Sequence, residues 1–269
     1  MPFITLGHSP LAGGPAEIHY REFGSGDSGV PLVFLHGGWG YEIYPIDAQL
    51  ELIRHARVLI PDRSGYGRST KPAAFSIDFH RRAAEETLQV LDSLHIGKAL
   101  FWGHSDGAVI AARLGLDWPE RCLGLVLESL HYYAEKRVSR QFFQTMAAAP
   151  EDFGRRVTDV LRREHGDPYW SELLRSEGRI WLELAALAEN GGARDLYQGR
   201  LAQLTVPVAF LHGASDPRTD PGELDEVRRQ LPMAAMHIIA GAGHSPHSEP
   251  ASAGECAQVV RDALTRWHL

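Results

Sequence analysis

Apolar residues in this chain recur in short blocks, and the period inside the blocks changes along the sequence. Segments 3–6 and 17–23 alternate apolar with polar residues on either side of the turn-rich LAGGPA, which predicts an antiparallel hairpin. From residue 31 the alternation stops. PLVFLH (31–36), RVLIPD (57–62), KALFWG (98–103), LGLVLE (123–128), VPVAFLH (206–212) and AAMHIIA (234–240) are continuous apolar runs, as expected of strands covered on both faces. Helical periods fill the intervals at 46–55, 77–95, 108–118, 223–230 and 251–267. Strand and helix in alternation predict an α/β fold: a mostly parallel central sheet of about eight strands flanked by helices on both faces.

One region breaks the rhythm. Residues 132–199 offer no convincing strand, only helical stretches punctuated by Pro150, Gly154, Gly166, Pro168, Gly191 and Gly192. They predict a helical cap inserted after the sixth strand, with 1–131 and 200–269 forming the core domain. Such a cap lies over the C-terminal edge of the sheet, where open α/β sheets bind ligands. Its large apolar residues Tyr132, Phe142, Phe143, Met146 and Trp181, with Trp39 and Tyr41 from the core, are the candidate substrate-binding residues. Ordinary helical core is the alternative for each aromatic.

Chemistry concentrates where the apolar runs end. FWGHSDG places Ser105 between Gly103 and Gly107, after a strand and before the helical GAVIAARLGL. A sharp strand-turn-helix elbow needs small residues beside it, because strand and helix approach closely there, and it lifts the serine out of the sheet. A serine that merely caps a helix is the bland reading. A nucleophilic hydroxyl needs a base, and the base needs a partner that holds its tautomer and stabilises its charged form. LHGASDPRTDP puts Asp216 just past one buried strand, and IIAGAGHSPHSEP puts His244 just past the next. Glu128 and Asp220 are competing acids. His247 is a pocket or surface candidate, and His36, His104 and His212 stand at strand ends where histidines are more often structural. HGGWG (36–40) also follows a strand, so the backbone N–H groups of Gly38 and Asp106 are candidate oxyanion donors.

FLHGGWG, DRSGYGRS (62–69), GHSDG, HGASDP and GAGHSPHSEP together resemble the α/β-hydrolase superfamily from Leu32 onward, with the spacing of its small cap-bearing serine esterases. The resemblance implies Ser105 as nucleophile, Asp216 as acid, His244 as base, and Gly38 and Asp106 as the oxyanion hole. An aspartate directly after the nucleophile is similar to esterases related to valacyclovir hydrolase, where it is associated with an amino group; a first-turn acid favoured by the helix dipole is the alternative for Asp106. Carbon-carbon hydrolases of this fold usually carry Gly-Pro-Gly where Trp39-Gly40-Tyr41 stands, and dehalogenases and epoxide hydrolases use an aspartate where Ser105 stands. The expected activity is cleavage of carboxylic esters with small to medium acyl or aryl groups. An amidase or aminopeptidase, a carbon-carbon hydrolase and a slow-turnover ligand receptor are the alternatives.

Composition narrows the setting. A chain of 269 residues can bury one large core. Its net charge of −7 and its arginine pairs inside helical patterns disfavour nucleic acid as a partner. Cys122 and Cys256, the only cysteines, support neither a disulfide framework nor a cysteine zinc site. MPFITLGHSP lacks the pattern of a secretory leader, and no stretch has the roughly 18 uncharged apolar residues of a membrane span. The expectation is a cytoplasmic monomer or homodimer acting on a small-molecule ester, with no membrane partner and with no metal or organic cofactor.

Overall fold

The computed structural model describes residues 2–24, 30–51 and 53–267. Eight strands form one sheet: β1 (Phe3–Ser9), β2 (Gly14–Gly24), β3 (Val30–Leu35), β4 (Ala56–Pro61), β5 (Ala99–His104), β6 (Cys122–Glu128), β7 (Val208–Gly213) and β8 (Ala235–Ile239). Their spatial order is β1-β2-β4-β3-β5-β6-β7-β8. β2 runs antiparallel to both β1 and β4, and every later pairing is parallel. The order reverses at β3, which lies between β4 and β5, so the chain segments leaving β3 and β5 diverge and open a crevice at the carboxyl edge.

The unbroken apolar runs follow from burial on two sides. Along β3, Val33 and Leu35 belong to one core while Leu32 and Phe34 belong to the other. Helices α1 (Phe79–Ser93) and α2 (Asp106–Asp117) contribute Phe79, Leu88, Val109 and Ile110 to the first core; α7 (Ala253–Trp267) contributes Cys256, Val259 and Val260 to the second. Both cysteines are buried free thiols. Among the described residues no helix is long and apolar enough to cross a membrane.

Among the described residues of 46–55 the expected helix does not form, residue 52 lying outside them; Asp47–Gln49 is one short 3-10 turn. Gln49 is fully buried and its amide donates to the carbonyl of His247, while Ile46 and Ile53 enter the second core. Held at three points, the segment turns directly into β4, where Ala56 N donates to Ile53 O at 2.9 Å. The other helices keep their expected places, and α6 covers Glu223–Gln230.

Between β6 and β7 lie α3 (Arg140–Ala148), α4 (Arg155–His165) and α5 (Tyr169–Glu189). The base of this insertion is closed where Ala134 N meets Arg194 O and Leu196 N meets Tyr132 O, both at 3.0 Å. α3 and α5 approach so closely that a Cβ on Gly178 would lie 2.6 Å from Ala147 N. The end of α4 is fastened to the loop after β3: Glu164 accepts from Tyr41 N at 2.8 Å, and His165 Nε2 donates to Trp39 O at 3.1 Å.

Gly107 is the tightest point of the sheet-helix contact, since a Cβ there would fall on the carbonyl oxygen of Leu35, which is backbone and cannot swing aside. Gly107→Ala is expected to cost at least about 1–3 kcal/mol, read as a Tm several degrees lower in thermal unfolding. Gly97→Ala, with nothing within 4 Å of its Cβ, is the control. Equal Tm values for the two variants would show that the contact is not constrained.

Candidate active site

Ser105 stands at the end of β5 with φ +55° and ψ −119°, a left-handed conformation rare for a residue with a side chain. Its N–H donates to Glu128 O at 2.9 Å, which ties the turn to β6. Gly103 on one side and Gly107 on the other allow strand and helix to close around it. The conformation costs about 1–3 kcal/mol and persists because its surroundings over-determine it.

Three distant loops meet at this turn. Ser105 Oγ lies 3.1 Å from His244 Nε2, and His244 Nδ1 lies 2.8 Å from Asp216 Oδ2. Asp216 Oδ1 accepts from Arg218 N at 2.8 Å. Burial opposes the charge of Asp216, yet the hydrogen bond and charge of His244 hold its carboxyl down to about 2. Burial first, then the Arg218 cation, push His244 down to about 4 against the pull of Asp216. At neutral pH the pair is therefore a carboxylate facing a neutral imidazole with its proton on Nδ1, and Nε2 is free to accept from the serine.

The loop after β3 closes the other side. Arg63 donates to His36 O at 2.5 Å and to Gly37 O at 3.0 Å, holding HGGWG from below. A Cβ on Gly37 would lie 3.2 Å from Ser105 Cβ, and one on Gly38 would lie 2.5 Å from Asp106 Oδ2. Among the described residues neither Gly38 N–H nor Asp106 N–H has an acceptor. The Asp106 N–H belongs to the first turn of α2, where backbone donors have no partner within the helix.

Trp39, Phe142, Phe143, Met146 and Trp181 line the cavity beside Ser105, with Phe143 stacked on Trp181 at 4.9 Å. Its volume is about 20 Å³, room for about one water. The aromatic wall from α3 and α5 closes over this space. Tyr41 and Tyr132 are not part of it, which corrects the expectation for both. Tyr41 is buried in the second core, its ring edge-on to Phe34 and its hydroxyl on Asp47 at 2.9 Å. Tyr132 reaches Glu226 at 3.1 Å, drawn outward toward α6.

The competing acids are engaged elsewhere. Glu128, fully buried, accepts from His247 Nδ1 and Trp102 Nε1, each at 2.8 Å, and this carboxylate holds His247 above the ordinary histidine range despite burial. Asp220 accepts from Val138 N at 3.0 Å and faces Lys136. His36 bonds Gly37 O, His104 bonds His244 O, and His212 bonds Thr219.

Four residues of the site were not found from sequence. His131 Nε2 lies 3.2 Å from Ser105 Oγ, and its ring stacks on His244 at 5.5 Å and 14°. A serine hydroxyl has one proton; with His244 as its acceptor, His131 completes the set by donating to Oγ. His80 Nε2 holds Asp106 Oδ1 at 2.7 Å. Glu177 of α5 is fully buried with neither oxygen hydrogen-bonded, and burial pushes its carboxyl well above the usual range; its Oε2 would lie 3.1 Å from a Gly38 Cβ. Arg218 also lines the cavity. The only sequence signal was position: His131 and Arg218 each lie within a few residues of a strand's carboxyl end. Among the described residues no cluster of histidine, cysteine and carboxylate groups could hold a metal ion.

The sheet order, the strained serine and the strand-end histidine and aspartate define a hydrolase of the α/β class. The chain belongs to the alpha/beta hydrolase family, whose profile matches residues 32–258. It is 33% identical to a proline iminopeptidase of Neisseria gonorrhoeae over 93% of either chain. It is 28% identical to a pimeloyl-[acyl-carrier protein] methyl ester esterase of Nitrosomonas europaea, over 86% of this chain and 94% of that one. A thermophilic esterase from Thermogutta terrifontis superposes over the whole of both chains with a TM-score of 0.75 at 20% identity.

Protonated His244 cannot accept a proton, so reactivity of Ser105 falls as pH drops through the folded-state pKa of His244. Because that value lies near 4 rather than at the ordinary 6.5, the rate of covalent labelling by a fluorophosphonate is expected to stay level from neutral pH to roughly pH 5 and then fall. A half-maximal rate at the ordinary histidine value would contradict the burial of this imidazole.

Proposed function

We propose that the protein is a cytoplasmic serine hydrolase that cleaves carboxylic esters of small to medium acyl or aryl groups through an acyl-enzyme on Ser105. The observation that carries this reading is the hydrogen-bonded line from Ser105 Oγ to His244 and on to Asp216, at 3.1 and 2.8 Å, beside two N–H groups without acceptors among the described residues. Ser105 Oγ attacks the ester carbonyl while His244 Nε2 takes its proton. Charge developing on the carbonyl oxygen is met by the N–H groups of Gly38 and Asp106, each typically worth about 3–4 kcal/mol. His244 returns the proton to the leaving alcohol, and water, activated by the same imidazole, releases the acid. The helices of 132–199 act as the cap that shapes the acyl pocket.

A second reading concerns substrates with a free amino group, including amides of amino acids. Asp106 Oδ2 and Glu177 Oε2 both flank Gly38, and among the described residues Glu177 has no hydrogen-bond partner. An ammonium on the carbon next to the scissile carbonyl would supply the donors that these oxygens lack, and would favour the ionised form of Glu177. The relative from Neisseria gonorrhoeae is named a proline iminopeptidase, which is consistent with this reading.

A fluorophosphonate is expected to label the native protein at one site that disappears in Ser105→Ala. Asp216→Asn should slow labelling by about 10³–10⁴, whereas Glu128→Gln should lower Tm and spare the labelling of folded protein. Labelling that survives Ser105→Ala ends the assignment. For the second reading, the p-nitrophenyl ester of alanine is compared with that of propionate. A preference for the alanine ester that falls about tenfold or more in Glu177→Gln and in Asp106→Asn is expected; equal turnover of both esters by the native protein leaves the simple ester reading alone.

A further inference from the structure

One cation stands in the catalytic cavity without a carboxylate in contact. Arg218 follows β7 and lines the same cavity as Ser105 and His244. Its guanidinium carbon lies 3.8 Å from the ring centre of Phe142 and 5.6 Å from that of Trp39. Among the described residues no carboxylate oxygen lies within 4.0 Å of it. A guanidinium has five N–H donors in one plane. Stacking on an aromatic face fixes that plane and leaves its edge open.

The group is held in register with the catalytic residues. Arg218 N–H donates to Asp216 Oδ1 at 2.8 Å, and its carbonyl accepts from Lys136 Nζ at 2.5 Å, so both ends of the residue are tied down. Tyr44 stacks with Trp39 at 6.4 Å, which braces the same aromatic wall. Burial lowers the pKa of Arg218 without neutralising it at any ordinary pH. A partly buried charge with no ion-pair partner is costly and is relieved by a ligand of opposite sign.

The side of the cavity matters. Asp106, fixed to His80 at 2.7 Å, lies against Gly38, whereas Arg218 is tied through its N–H to Asp216, the carboxylate bonded to His244 Nδ1. The base hands its proton to the leaving group, so the ground beside His244 belongs to the leaving half of the substrate. A planar carboxylate matches two N–H groups of a guanidinium edge.

We propose that Arg218 is the subsite for a carboxylate carried on the leaving-group half of the substrate, a specificity that rests on the hydrolase reading of Ser105. Purely structural use of Arg218, as a stacking bridge between Phe142 and the loop after β3, would affect stability and leave substrate preference unchanged.

The test compares kcat/KM for para-acetoxybenzoate and para-acetoxybenzamide, which share an acetyl group and differ in the charge of the leaving phenol. The native protein is expected to favour the carboxylate by about tenfold or more, with a preference that shrinks as salt is added. Arg218→Gln should bring the ratio near one, and Arg218→Lys should retain part of it. A ratio near one in the native protein, or a full preference in folded Arg218→Gln, overturns the proposal. Calorimetric binding of para-hydroxybenzoate and para-hydroxybenzamide gives a readout independent of turnover. If neither ester is cleaved, the hydrolase reading fails, while tighter binding of the carboxylate that is lost in Arg218→Gln still supports the subsite. Equal binding of the two phenols refutes it. Should Arg218→Gln not fold, Arg218→Lys and the native comparison decide in the same way.

Discussion

The backbone of Ser105 is the constraint on which the rest is arranged. A residue with a side chain is kept at φ +55° only if its neighbours leave no easier conformation. Here β5 arrives fully buried, α2 leaves at once, and Glu128 O takes the Ser105 N–H. The glycines at 103 and 107 are small because backbone atoms occupy the places their side chains would fill. Once this turn is set, the hydroxyl projects beyond the sheet edge, and the loops after β3, β6, β7 and β8 gather around it.

The environment of that hydroxyl is strongly polarised. Carboxyl groups of Asp106 and Glu177 lie toward Gly38, and the Arg218 cation lies over Phe142. The intervening wall is aromatic and comes from α3 and α5. Charges in such a dry setting act with less screening than on the surface, so their positions bear directly on what the cavity admits. The insertion that supplies the wall is fastened to the core through Glu164 and His165 at the end of α4, on the same loop that holds Gly38. Movement of the insertion and the shape of the site beside Gly38 are therefore mechanically linked.

Histidines show how far residue type alone carries an argument. His104, His131, His244 and His247 all lie at strand ends around the serine. Only their partners separate their parts: a carbonyl for His104, the serine hydroxyl for His131, Asp216 for His244 and Glu128 for His247. Glu128 stands at the end of the strand after Ser105, which made it a reasonable acid from sequence. The fold turns it to the far face instead, where it meets Trp102 and His247.

What the chain itself determined was the α/β order of elements, the doubly covered strands, and the placing of Ser105, Asp216 and His244 at strand ends, because these rest on local periodicity, small residues at a tight turn and position along the chain. Its family followed from the same motifs. Tertiary structure alone decided which side chains meet across the sheet edge: that His131 stands beside Ser105, that Glu177 has no hydrogen-bond partner among the described residues, that Arg218 enters the cavity, and that Tyr41 and Tyr132 do not. It also set a short 3-10 turn at Asp47–Gln49 where a helix was expected, beside a buried amide on the carbonyl of His247. Local pattern reports which face of an element is buried; it carries no information about which of two distant residues will fill the same few ångströms, since that depends on packing the whole sheet and its insertion together.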